Sequence, residues 1–230
     1  MLLVGMKKMN KILLVEDNNK FSSGNYILEY NKNTNLELNG IVKINCLSTY
    51  DTNINILDNS QVEIQTIWIL NKDIDITINI KNNSNIILNT LIINEGNNKV
   101  VLNVNMQGNN SLAKIKLRAI NKQKDSKLDI ICNGNIVKNT INNELLEDLK
   151  GLLTSEDTIK ISPNMRVSTN EVVANHLVTI GAFNQEELFY LTTKGLSIEQ
   201  AKKILIEAFT TNFISEDFKE IVKMEVRNIE

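Results

Sequence analysis

The chain has 230 residues, 25 Lys plus Arg against 27 Asp plus Glu, a formal net charge of -2 and 42% apolar residues. That is enough chain for a sizeable core in one large domain or one and a half, and its even charge predicts neither a nucleic-acid surface nor an anionic-membrane surface. No apolar run approaches the roughly 20 residues of a membrane helix, Lys7 and Lys8 come too soon for a secretory signal, and two cysteines, Cys46 and Cys132, make no disulfide framework, so a reducing cytoplasm is expected.

Lys11-Ile-Leu-Leu-Val-Glu-Asp-Asn resembles the first strand and acidic pair of a receiver domain, with Glu16 and Asp17 as metal ligands. A receiver would continue with an amphipathic helix and then a second apolar strand ending in Asp. Lys20-Phe-Ser-Ser-Gly-Asn and short strand-like pieces follow instead. The segment reads as an opening strand that ends in a polar turn.

From Tyr26 to Val137 short alternating stretches dominate, among them Leu36/Leu38, Ile54/Ile56, Val62/Ile64, Ile74/Ile76/Ile78/Ile80, Leu102/Val104/Met106 and Ile115/Leu117. Alternation at period two marks half-buried strands. The breaks, such as Asn59-Ser60, Asn82-Asn83-Ser84 and Gly108-Asn109-Asn110, use residues that tolerate the left-handed backbone of tight turns. Their spacing of about a dozen residues fits a sandwich, a barrel or a β-solenoid. Many isoleucines, few aromatics and no helix signal favour the solenoid. The asparagines are readable as stacked amides at solenoid corners, and equally as base composition of the gene. Cys46 and Cys132 sit in apolar-flanked strands as small buried hydrophobes, Cys132 near a strand end. Asp73 and Asp75, on one strand face, would suit a polysaccharide-acting β-helix enzyme. Such an enzyme wants more acids and an export signal, and a pair like this is usually just solvated.

Leu145, Leu146, Leu149 and Leu152 fall at helical spacing, so Asn143–Leu152 is expected as a short helix or a connection. Thr158–Ser162 is an extended lead-in, and Met165–Ile180 alternates like a last rung. Helices follow. Asn184 with Glu187, and Ser197 with Gln200, are capping boxes, and Gly195 closes the first helix. Ala201, Ile204, Leu205, Ala208 and Phe209 make an amphipathic stripe. Ser215 starts a third helix with Phe218, Ile221 and Val222 on its buried side.

No Ser/His/Asp set, glycine-rich phosphate loop or paired-cysteine metal motif is present. The residues that carry most are Pro163, Met165 to Val167, Glu171-Val172, His176, Gly181, Glu186 to Leu191, Lys194-Gly195, Ala201 and Phe209. In order and spacing, over about fifty residues, they resemble the C-terminal core of the SufB/SufD family of iron–sulfur cluster assembly scaffolds.

The resemblance implies a mainly β chain: a right-handed parallel β-helix over residues 1–182 with a C-terminal α-helical subdomain over 183–230. It implies a cytoplasmic scaffold subunit that is not an enzyme. Its partners would be a SufC-like ABC ATPase and a second SufB/SufD-like subunit, in a homo- or heterodimer, with no nucleic acid and no membrane. A transient iron–sulfur cluster would be shared at a subunit interface, and none would be bound by this chain alone. The matched histidine, His176, would help hold that cluster as a metal ligand; the other reading is a hydrogen-bonded histidine at a strand end. Phe189, Tyr190, Leu191, Ile204, Leu205 and Phe209 would dock the ATPase, unless they pack the tail on the β-core. The family's cluster-accepting cysteine has no counterpart here, and Ala174 stands where many members carry cysteine. The chain is shorter than the better-known members and is expected to lack their N-terminal helical region. A structural β-solenoid without cluster chemistry is therefore the alternative function.

Overall fold

The computed structural model describes residues 12–14, 18–29, 32–47, 49–227 and 229. Glu16 and Asp17 lie outside them; of the opening segment, β1 (Ile12–Leu14) is described and is a strand. The chain then alternates between two sheets. One holds β1, β3 (Gly24–Glu29), β5 (Ile41–Leu47), β7 (Gln61–Leu70), β9 (Asn85–Asn94), β11 (Leu112–Asn121), β13 (Asn143–Leu152) and β15 (Val172–Gly181), in that order. The other holds β2 (Asn18–Phe21), β4 (Thr34–Leu38), β6 (Thr52–Ile56), β8 (Ile74–Ile80), β10 (Asn97–Met106), β12 (Lys127–Ile136) and β14 (Thr158–Val167). Every pairing is parallel. This is a parallel β-helix, in which each turn lays one strand on each sheet.

The alternation explains the core. Inward side chains stack in columns, as in Ile44, Ile64, Leu88 and Ile115 on one wall. Leu36, Ile54, Ile78 and Val104 form a column on the other. All eight are buried, and identical spacing of thin aliphatic layers suits β-branched isoleucine.

The corners are asparagine ladders. Asn59, Asn83, Asn110 and Asn142 all take positive φ, from 54° to 59°. The last three each pass a side-chain amide hydrogen to the asparagine one turn earlier: Asn83 to Asn59 at 3.2 Å, Asn110 to Asn83 and Asn142 to Asn110 at 3.1 Å. Beneath them Ser60, Ser84 and Ser111 form a buried hydroxyl ladder, each of the last two accepting from the backbone N–H of the serine before it at 3.2 Å. The asparagines therefore have a structural use beyond gene composition. The ladder also shows the coil widening: its rungs are 24, 27 and then 32 residues apart. Asp73 and Asp75 serve the same purpose, accepting from Lys99 N–H at 2.8 Å and from the Asn103 amide at 3.0 Å.

Asn143–Leu152 is a strand, correcting the helix or connection expected there. Leu145 and Leu149 point inward and Leu152 packs outward under the tail. Four leucines at this spacing serve a strand with two buried faces as well as a helix, and register decided.

The tail is three helices, α1 (Gln185–Thr193), α2 (Ile198–Thr211) and α3 (Glu216–Val226). Ser197 and Gln200 form the expected capping box. Asn184 caps α1 by accepting from Glu186 N–H at 2.9 Å, without the reciprocal Glu187 bond. Gly195 follows α1 at φ 93°, where a side chain would be strained. The tail folds back over the outer face of the first sheet. Phe218, Ile221, Val222 and Val226 of α3 bury Ile67, Leu91, Ile93 and Ile120. Lys122 ties β11 to α3 through Glu225 and also holds Glu95, both at 2.8 Å.

Candidate functional site

The aliphatic column of the first sheet ends abruptly. Below Ile115 the next inward residue is Glu147, and below Glu147 comes His176 on the last strand. On the facing wall Leu102 is followed by Cys132 and then Pro163. The first sheet's column therefore turns polar in its last two positions, after Ile44, Ile64, Leu88 and Ile115.

Cys132 and Glu147 meet across the lumen. The Cys132 thiol donates to Glu147 Oε1 at 3.3 Å, while Glu147 Oε2 is buried without a partner among the described residues. Cys132 is 0% exposed and Glu147 3%. Burial pushes the Glu147 carboxyl up to about 7, the thiol contact opposing it. Burial, reinforced by the adjacent carboxylate, pushes the Cys132 thiol well up. The pair is thus neutral in mildly acidic solution, and at neutral pH the carboxyl is poised to exchange its proton. Gly134 makes the room: a Cβ there would lie 2.6 Å from Leu145 Cδ2 and 3.2 Å from Glu147 Oε1.

His176 caps this column and is exposed, its imidazole free of hydrogen bonds to the described residues. Its strand, β15, pairs with β13 on one side and is the open edge of its sheet on the other. Around it Val173 is 50%, Leu177 57% and Ile180 37% exposed. Lys114, Lys116 and Asp148 line a shallow groove beside His176. An unpaired edge with apolar side chains is a ready template for another chain. Among the described residues no group of three or more His, Cys, Asp or Glu is close enough to hold a metal ion. His176 is a single donor, and Cys132 and Glu147 lie one layer deeper.

The tail separates into a sealed and an open part. No residue of α1 is buried, and Phe189 is 71% and Tyr190 60% exposed. Leu191 is half-buried. On α2 Ile204 is 43% exposed, and Leu205 and Phe209 lie half-buried against the tail's own core. The buried face of α2 is Ala201, Ile206, Thr210 and Thr211, rotated from the expected stripe. Phe189, Tyr190 and Ile204 therefore face outward, while Leu205 and Phe209 are largely packing residues.

Sequence reasoning placed His176 and missed Glu147. The signal was there: in Leu145-x-Glu147-x-Leu149, a strand reading puts the acid on the inward face.

The family described as SUF system FeS cluster assembly, SufBD core domain, matches residues 138–209. That range holds Glu147, His176, α1 and α2 as far as Phe209. An iron–sulfur cluster assembly SufBD family protein of Mycobacterium leprae is 41% identical over 54 residues, 23% of this chain and 14% of the relative. One from Pyrococcus horikoshii is 28% identical over 122 residues, 47% of this chain and 27% of the relative. A chloroplastic Arabidopsis thaliana protein, ABCI7, is 27% identical over 77 residues, 34% and 16% of the two chains. The matches thus span 14% to 27% of these relatives' own lengths. Among the described residues no helix is long and apolar enough to cross a membrane.

Proposed function

We propose, from the premise that this chain belongs through residues 138–209 to the SufB/SufD family of the SUF iron–sulfur cluster assembly system, that it is a scaffold subunit rather than an enzyme. It works in the cytoplasm with a SufC-type ATPase and a second scaffold subunit. The observation that carries this reading is the open last rung: an unpaired strand edge with His176 at its middle and exposed Val173 and Leu177 beside it. Pairing of two such edges covers the apolar side chains and brings two imidazoles, or an imidazole and a partner's ligands, to one interface. The cluster is cargo there, shared by two chains, which suits a site with too few donors in one.

The ATPase grips α1 and the exposed side of α2, through Phe189, Tyr190 and Ile204. Exposed aromatics are the side chains that make good anchors. The tail's sealed part transmits the force, since α3 is fastened to the first sheet by Phe218, Lys122 and Asn45, which donates to Asp217 at 3.2 Å. ATP-driven closure of two ATPase subunits would then move two scaffold subunits against each other, opening or shutting the cluster site.

Anaerobic addition of ferric iron and sulfide to the scaffold with its ATPase tests this. Visible sulfide-to-iron absorption that His176→Ala abolishes is expected. Iron-free protein with every partner present points instead to a structural solenoid without cluster chemistry.

A further inference from the structure

We infer that the cleft between α2, the end of α3 and the last turns of the coil binds a small anion with an apolar body, a carboxylate or phosphate ester bearing a hydrocarbon group. The inference does not depend on the family reading. Glu199, Lys202, Lys203 and Ile206 stand at i, i+3, i+4 and i+7, so one face of α2 forms a wall. Arg227, Ile229, Phe183 and Thr154 complete the lining. The cleft holds about 530 Å³, within the roughly 300–1,000 Å³ usual for small-molecule sites.

Its chemistry is divided by depth. Ile206, Ile229 and Phe183 are 3%, 4% and 8% exposed, giving an apolar bottom. Three cations stand at the mouth, with Lys202 Nζ 5.7 Å from the Phe183 ring centre. Elsewhere in the tail Lys219 pairs with Glu216 and Lys223 with Glu207 at 3.1 Å, while Lys194 lies over the Tyr190 ring. Lys202, Lys203 and Arg227 make no ion pair among the described residues, and Glu199 is the one acid in the described lining. Three cations around a single acid repel one another, and an anion relieves that. Thr154 is the one neutral polar side chain in the lining, against three buried apolar ones, which favours a hydrocarbon body over a polar one. An aliphatic or simple aromatic body meets no such penalty.

Calorimetric titration of the whole chain with dodecanoate and dodecyl phosphate below their micelle concentrations tests the inference. Acetate and dodecyltrimethylammonium are the controls. Saturable one-to-one binding of at least one anionic amphiphile is expected, and the stronger of the two identifies the headgroup. Neither control should bind. The double variant Lys203→Glu/Arg227→Glu, both positions exposed and without an ion pair among the described residues, should weaken binding at least about tenfold with an unchanged circular dichroism spectrum. Equal binding of the cationic analogue, undiminished affinity in the double variant, or no binding of either anion overturns it. The last result would also be expected if an acidic segment of a partner protein fills the cleft.

Discussion

The Cys132 thiol donates to the Glu147 carboxylate across 3.3 Å inside the solenoid, one layer above His176. A β-helix lumen is an unfavourable place for a carboxyl group, and Oε2 has no compensating partner among the described residues. The cost is localised in the layer just behind the exposed histidine. Its consequences are measurable without any partner.

The first is pH dependence. The folded Glu147 carboxyl titrates near 7 against an ordinary 4.5, so between those values the folded state holds a proton the unfolded state has lost. Stability from this group is therefore full below pH 4.5, falls as pH rises, and is gone above about 7. The loss is on the order of 3 kcal/mol. Glu147→Gln should flatten that part of the stability profile in urea titrations. A profile unchanged by the substitution would place the carboxyl in water.

Gly134 is the second. Gly134→Ala pushes a methyl group against Leu145 Cδ2 and Glu147 Oε1. Overpacking of this kind costs about 1–3 kcal/mol, seen as a lower denaturation midpoint. Pairing it with Glu147→Ala should recover part of the loss; additive losses would mean the two sites do not touch.

The asparagine ladder gives a third. Asn110 holds φ 55° and both donates and accepts in the ladder. Asn110→Gly keeps the backbone easy and loses only amide bonds. Asn110→Ala loses both and should be the less stable by about 1 kcal/mol. Equal stabilities would mean backbone strain is unimportant at this corner.

Much of this was legible in sequence. Period-two isoleucines showed the strands, Ser197 with Gln200 showed the start of α2, and Phe218, Ile221 and Val222 showed the buried side of α3. What was hidden arises from stacking. Cys132 and Glu147 are 15 residues apart and become neighbours only when two sheets face each other. Asn59, Asn83 and Asn110 look like scattered turn residues until the coil superposes them. The stripe on α2 is shifted from the spacing expected in sequence: Ile206 joins the tail's core and Ile204 stays outside.

The two parts of the tail should respond differently to mutation. Phe218, 0% exposed, joins α3 to the sheet, and Phe218→Ala should cost about 3–5 kcal/mol and make the tail sensitive to protease. Phe189→Asp, on the outer surface, should stay within about 0.5 kcal/mol of wild type. If Phe189→Asp also unfolds the tail, α1 is a packing element and not a docking one.

The most direct measurement is co-purification of this chain with a SufC-type ATPase at micromolar concentration, for wild type and for Phe189→Asp/Tyr190→Asp. A stable complex with wild type that the folded double variant fails to form is the predicted result. No association by wild type, or equal association by both, would contradict the account.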